Sequence, residues 1–213
     1  LTDRVIHIVA SPYKTATSSV GDALIRLGVG TRDMGYKPRV QRAIKPLLKP
    51  LNAEADAATD LRAWMSGNAA RVRETLVPVI EAMAPYDVFS DAPCGHAHIH
   101  PAIHKILHPA ARLIWVDRDE ESWVASVRNW EITHPDVYKQ HHLWDENPDL
   151  RRKRILARRA QRRGRFARTA ELFPDDMLTV PMADLDSYAP LCRFYGVAIP
   201  DEGFPRANVS RKA

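Results

Sequence analysis

The stretch KTATSS, residues 14–19, puts a lysine ahead of four small hydroxyl residues, Thr15, Thr17, Ser18 and Ser19. It is flanked by an apolar run on one side and by helical spacing of Val20, Ala23, Leu24 and Leu27 on the other. An ammonium, consecutive backbone N–H groups and hydroxyls converging on a helix start make an anion cradle, and phosphate is its natural guest. A nucleoside triphosphate loop, GxxxxGK(S/T), places glycines before a lysine that closes it. Here the lysine comes first and no glycine precedes it within the loop, which suits one 5′ phosphate better than a triphosphate. The same composition also serves a turn that merely caps a helix.

Two further sets of residues carry chemistry. In LIWVDRDEESWVASVRNW, Arg118 and Ser126 stand eight residues apart, one just after a strand and one inside a helix. A guanidinium and a hydroxyl so placed can converge on a second phosphate, although Asp119 or Ser122 capping a surface helix explains the same string. In DVFSDAPCGHAHIH, Asp91 ends a strand. Partial burial there raises a carboxylate's pKa toward that of a working base, and an aspartate also caps turns. His96 is the alternative base, and His98 or His100 is a candidate contact to the molecule acted upon. His100, His104 and His108 align along a helix, but no carboxylate completes a ligand motif, so no metal is expected.

Positioning these groups requires a regular scaffold. Short β-branched runs at 4–10, 87–91, 112–116 and 177–180 read as strands. Helical patterns follow Ser18 and occupy 76–83, 100–107, 122–129, 150–172 and 188–195. Strands buried on both faces and separated by helices imply an α/β three-layer sandwich with a central parallel sheet, whose ligands sit at the carboxyl ends of the strands. Segment 35–60, with Pro38, Pro46 and Pro50, shows no clean period and reads as a helix-rich lid or connection. A length of 213 residues fits one domain over 1–213.

Charge is uneven. The chain carries +5, but 149–168 holds ten Lys or Arg against one acid, a local +9 that leaves −4 for the rest. Without interleaved aromatics this reads as a solvated helix face rather than a nucleic-acid surface, and attraction of an anionic substrate or cofactor is a third use. Cys94 and Cys192 are expected to be buried free thiols. The longest apolar runs are too short to span a bilayer and no secretory signal opens the sequence, so a soluble, cytoplasmic protein is expected.

Lys14 to Ser19 resembles K-(S/T)-G-T-(T/S)-x, the phosphosulfate loop of sulfotransferases that use 3′-phosphoadenosine-5′-phosphosulfate (PAPS). Ala16 stands at the family's glycine and Tyr13 at its proline. The Arg118 and Ser126 spacing matches the family's 3′-phosphate site. SYAPLCRFYGVAIPDEGFPRANVS is similar to the C-terminal signature of a bacterial and eukaryotic sulfotransferase-like branch, with Tyr188 at its tryptophan.

The resemblance implies a P-loop-like sulfotransferase fold and transfer of a sulfuryl group from PAPS, leaving adenosine 3′,5′-bisphosphate, without a metal. It assigns Lys14 to the leaving oxygen, Thr15, Ala16, Thr17, Ser18 and Ser19 to the 5′ phosphate, and Arg118, Ser126 and Arg206 to the rest of the nucleotide. Asp91 falls where cytosolic relatives carry the histidine of H-x-P, so a carboxylate becomes the base, with His96 and His98 lining the substrate side. The tryptophan that stacks on adenine in many relatives is Ser19 here. The acceptor is expected to be a small molecule or glycan with a free hydroxyl or amine, its pocket shaped partly by 35–84. A P-loop small-molecule kinase, or an inactive nucleotide-binding module of the same fold, are the alternatives.

Overall fold

The computed structural model describes residues 4–207. Four strands form one parallel sheet: β1 (His7–Val9), β2 (Val88–Phe89), β3 (Arg112–Asp117) and β4 (Met177–Pro181), in the order β2-β1-β3-β4. The register sets Ile8 beside Phe89 and Leu113, and Leu113 beside Met177. From β1 the chain moves outward to β2, then returns to the other side for β3 and β4. The order therefore reverses between β1 and β3, and the crevice at that reversal is where open parallel sheets bind ligands.

Around the sheet pack α1 (Thr17–Arg26), α2 (Pro38–Ala57), α3 (Leu61–Thr75), α4 (Val77–Met83), α5 (Pro101–Leu107), α6 (Glu120–Thr133), α7 (Leu143–Glu146), α8 (Pro148–Ala170) and α9 (Ala189–Tyr195). Alternation along β3 feeds both faces of the sheet. Leu113 and Trp115 join Ile8, Phe89 and residues of α2 to α5 and α8, including Leu51, Val72, Ile103 and Phe166. Ile114 and Val116 join Val20 and Leu24 of α1 and Leu191 of α9. Gly21 lets α1 lie close on the end of β2, because a Cβ there would stand 2.6 Å from Cβ of Ser90.

The strands at 4–10 and 87–91 are shorter than the sequence pattern predicts, since β2 offers only two residues to pair. Segment 35–60 is more regular than predicted: α2 runs 20 residues straight through Pro46 and Pro50. Its buried residues Ile44, Leu48, Leu51 and Ala55 do keep helical spacing, while both prolines lie on the exposed side. Helix α3, absent from the sequence reading, starts at Asp60, whose carboxylate accepts from the Ala63 amide at 2.9 Å. Cys94 and Cys192 are free and buried. No helix among the described residues is long and apolar enough to cross a membrane.

Candidate active site

A cavity of about 920 Å³ opens over the carboxyl ends of the strands. The loop after β1 supplies Tyr13, Lys14, Ala16, Thr17, Ser18 and Ser19 to its wall, the loop after β2 supplies Asp91, His96 and His98, and the end of β3 with α6 supplies Arg118 and Ser126. Arg206 lines its far side with Phe204. Of the candidate site residues read from the sequence, Thr15 and His100 do not line it. The buried hydroxyl of Thr15 donates to the Pro12 carbonyl at 2.6 Å and braces the loop, which leaves its amide as the group it can offer. His100 caps α5, accepting from the Ala102 amide at 3.1 Å.

The loop after β1 is built by its backbone. Lys14 and Ala16 are left-handed, with φ of 66° and 59°, and Thr15 between them is not. Alternating hand turns successive N–H groups toward one concave side, and α1 adds the acceptor-less amides of its first turn. Ala16 thus holds a left-handed conformation that glycine would adopt freely, at a steric cost. Lys14 Nζ rests over the Trp130 ring, 4.2 Å from its centroid. Trp130 is fixed in turn, donating to the Tyr138 hydroxyl at 3.1 Å and stacking on His134 with ring centroids 3.7 Å apart. Burial, and then the neighbouring Arg118, push the lysine pKa below its usual value. Arg118 ties β3 to this loop, its Nη1 donating to the Lys14 carbonyl at 2.8 Å and its Nε to Ser122 Oγ at 3.1 Å. Asp119 caps α6, accepting from the Ser122 amide at 2.9 Å. The capping role and the cavity role of this string therefore coexist on different residues. Ser19 accepts from the Ala207 amide at 3.0 Å, which fastens the C-terminal segment against the loop.

At the end of β2 the chain turns sharply through Asp91 to Gly95, whose amide donates back to the Asp91 carbonyl at 2.8 Å. A side chain on Gly95 would meet the Phe89 and Asp91 backbone at 2.8 Å. His96 then donates its amide to Val9 at 2.9 Å, which anchors the turn to β1. Its ring bridges the two loops: Nδ1 is 3.4 Å from Asp91 Oδ1 and Nε2 is 3.2 Å from Thr17 Oγ1. Asp91 and His96 are thus a connected pair rather than alternatives. Burial raises the Asp91 pKa against a hydrogen bond from the Ala92 amide. Burial and Arg162 lower that of His96 to about 3, so its ring is neutral near pH 7. Behind the pair, buried Glu131 accepts from Tyr13, Trp144 and Arg151, whose combined hydrogen bonds outweigh desolvation and keep it ionised.

Several cavity residues escape the sequence motifs: Trp130, Tyr138, Arg158 and Arg162. Trp130 lies one helical turn beyond Ser126, so projecting that face of α6 would have found it, whereas α8 carries no site residue in the sequence reading from which Arg158 and Arg162, one turn apart, could be projected. From the segment 35–84 only Tyr36 and Gln41 reach the cavity. The described residues gather no group of three or more His, Cys, Asp or Glu suited to a metal. No curated protein matches the chain. A family model described as a sulfotransferase domain matches residues 7–170 and 141–213. With a parallel α/β sheet and this match over most of its length, the chain belongs to the sulfotransferase domain family.

Proposed function

We propose that the protein transfers a sulfuryl group from PAPS to the hydroxyl or amine of an acceptor. The observation that carries this reading is that the lysine-led cradle and the Arg118 and Ser126 pair share one cavity at the sheet's reversal point. A nucleotide with phosphate at both its 5′ and 3′ positions fits two such anion sites; adenosine monophosphate fills only one.

PAPS brings an activated sulfuryl group, and the protein's task is to hold it and manage charge and protons. The amides and hydroxyls of Thr17, Ser18 and Ser19 hold the 5′ phosphate. As the acceptor oxygen bonds to sulfur, the bond from sulfur to the bridging phosphate oxygen breaks, and Lys14 offsets the negative charge left on that oxygen. Trp130 keeps the ammonium aimed there. Asp91, whose raised pKa suits the task, takes the acceptor's proton, while neutral His96 orients it. Arg118 and Ser126 hold the 3′ phosphate. Met182, Leu185 and Phe204 give the adenine an apolar surface in place of the missing tryptophan, and Arg206 stands exposed at the rim. Contributions from residues 13 to 207 to this one cavity favour reading the chain as a single domain.

Thermal-shift titration tests the reading, because a ligand that binds only the folded state stabilises it in proportion to its affinity. Adenosine 3′,5′-bisphosphate is expected to stabilise far more than adenosine 5′-monophosphate, and ATP to gain nothing from Mg²⁺. Equal responses to the first two overturn the reading, and a Mg²⁺-dependent ATP response turns it toward a kinase.

A further inference from the structure

Five of the ten cations of α8 are in ion pairs, and two of the other five line the cavity. Arg151 pairs with Glu131, Arg152 with Glu120 and Glu121, Arg159 and Arg163 with Asp117, and Arg165 with Asp56. These hold the helix to its neighbours. Arg158 and Arg162 differ: both line the cavity, and among the described residues neither has a carboxylate within ion-pair distance. Arg162 Nη2 instead lies 3.4 Å from Nδ1 of His98.

The charge of this pair is uncompensated locally. Burial and the adjacent Arg158 lower the Arg162 pKa to about 10, still well above neutrality. Burial and Arg162 hold the His98 pKa well below its usual value, so its ring adds no charge. Nearby carboxylates are committed, Asp91 to His96 and Glu131 to Arg151. A half-buried guanidinium beside another, facing a cavity, lacks only an anion.

Strand order says which molecule brings it. The groups assigned to the nucleotide stand at the ends of β1, β3 and β4, whereas His98 belongs to the loop after β2, the opposite edge strand. The His98 ring is 6.2 Å from that of His96, which itself touches Asp91. Arg162, His98, His96 and Asp91 therefore follow one another along a single wall of the cavity, where one bound molecule can meet both Arg162 and Asp91.

We infer that the acceptor is itself anionic, a hydroxyl compound bearing a carboxylate, phosphate or sulfate that Arg158 and Arg162 hold while Asp91 receives the hydroxyl proton. The inference rests on the sulfotransferase reading for the identity of the reacting group. It assigns the two unpaired, cavity-lining arginines of the basic helix to substrate selection.

Matched probes test it. Protein saturated with adenosine 3′,5′-bisphosphate is titrated with galacturonate and galactose, and with 4-hydroxyphenylacetate and its methyl ester. The carboxylate member of at least one pair is expected to bind about tenfold or more tightly than its neutral partner, the range of a charge-assisted contact. Arg162→Gln should erase that difference while leaving bisphosphate affinity unchanged. Arg158→Gln, on an exposed residue that places no load on folding, should reduce it. Equal binding within both pairs, or a difference that survives both substitutions, overturns the inference. So does a loss of bisphosphate affinity in the variants, which would give the arginines to the nucleotide. If the wild-type protein binds no bisphosphate, the sulfotransferase reading fails by itself, and the same titrations of the free protein still report whether these arginines hold an anion.

Discussion

The two ends of the cavity are built by different means. At the β1 and β3 end the groups come from two short stretches, 14–19 and 118–126, and much of the work falls to backbone amides and a left-handed turn. At the β2 end they are side chains from the 91–98 loop, α6 and α8, separated by tens of residues. Binding a phosphate is a local task that a loop and one helix start can perform. Selecting an acceptor is a tertiary task, so it can change without disturbing the other end.

Acid should expose the contrast most strongly, because the histidines cluster at the β2 end and on α5. His96, His100 and His104 all have pKa values near 3 when folded, chiefly through burial, against 6.5 for an ordinary histidine. Their stabilising effect is complete above pH 6.5 and is lost as pH falls from there toward 3, since the unfolded chain takes up protons first. At pH 5 this is about 2 kcal/mol per residue, so the melting temperature should drop steeply between pH 6.5 and 5. A flat profile over that range would mean these rings are not buried neutral.

Chemistry separates the ends next. Lys14→Ala should lower kcat by about 10²–10³-fold, since it removes charge stabilisation that grows during the reaction, with bisphosphate affinity within a few-fold of wild type. Normal turnover with a raised KM would make Lys14 a binding group only. Asp91→Asn should lower turnover by about a hundredfold and abolish the acidic limb of the kcat/KM profile, which in the wild type falls as pH drops through the raised Asp91 pKa. If the asparagine variant keeps near-normal turnover, the base lies elsewhere, and His96→Asn decides. The smallest effect expected is on nucleotide choice: Arg118→Ala should cost about 1.5–3 kcal/mol of the preference for bisphosphate over monophosphate. An unchanged preference would move the 3′-phosphate site off β3.

The sequence makes the first end legible because its determinants are contiguous. The hydroxyl-rich turn, the Arg118 and Ser126 spacing, all four strands and the boundaries of α8 to within two residues can be read directly. Helix α2 hides behind Pro46 and Pro50, although Ile44, Leu48 and Leu51 keep its period. Helix α3 buries only Leu61 and Val72, too thin a stripe to read. Trp130 under Lys14 lies one turn from Ser126 on the same helix, but Arg162 beside His98 depends on where α8 crosses the cavity, which no spacing within one segment encodes. The basic helix illustrates the limit: its composition predicts a solvated face, and it takes the fold to divide ten cations into those that are paired and those that are not.

The tight turn at Gly95 has an evolutionary consequence. Backbone atoms on two sides occupy the space a side chain would need, and that same turn presents Asp91 and His96 together. Saturation mutagenesis should therefore find position 95 almost intolerant of replacement, while Gly164, with open space around it on α8, accepts many residues. On the proposed reading, preference among acceptors is then expected to change more readily than the backbone of this corner.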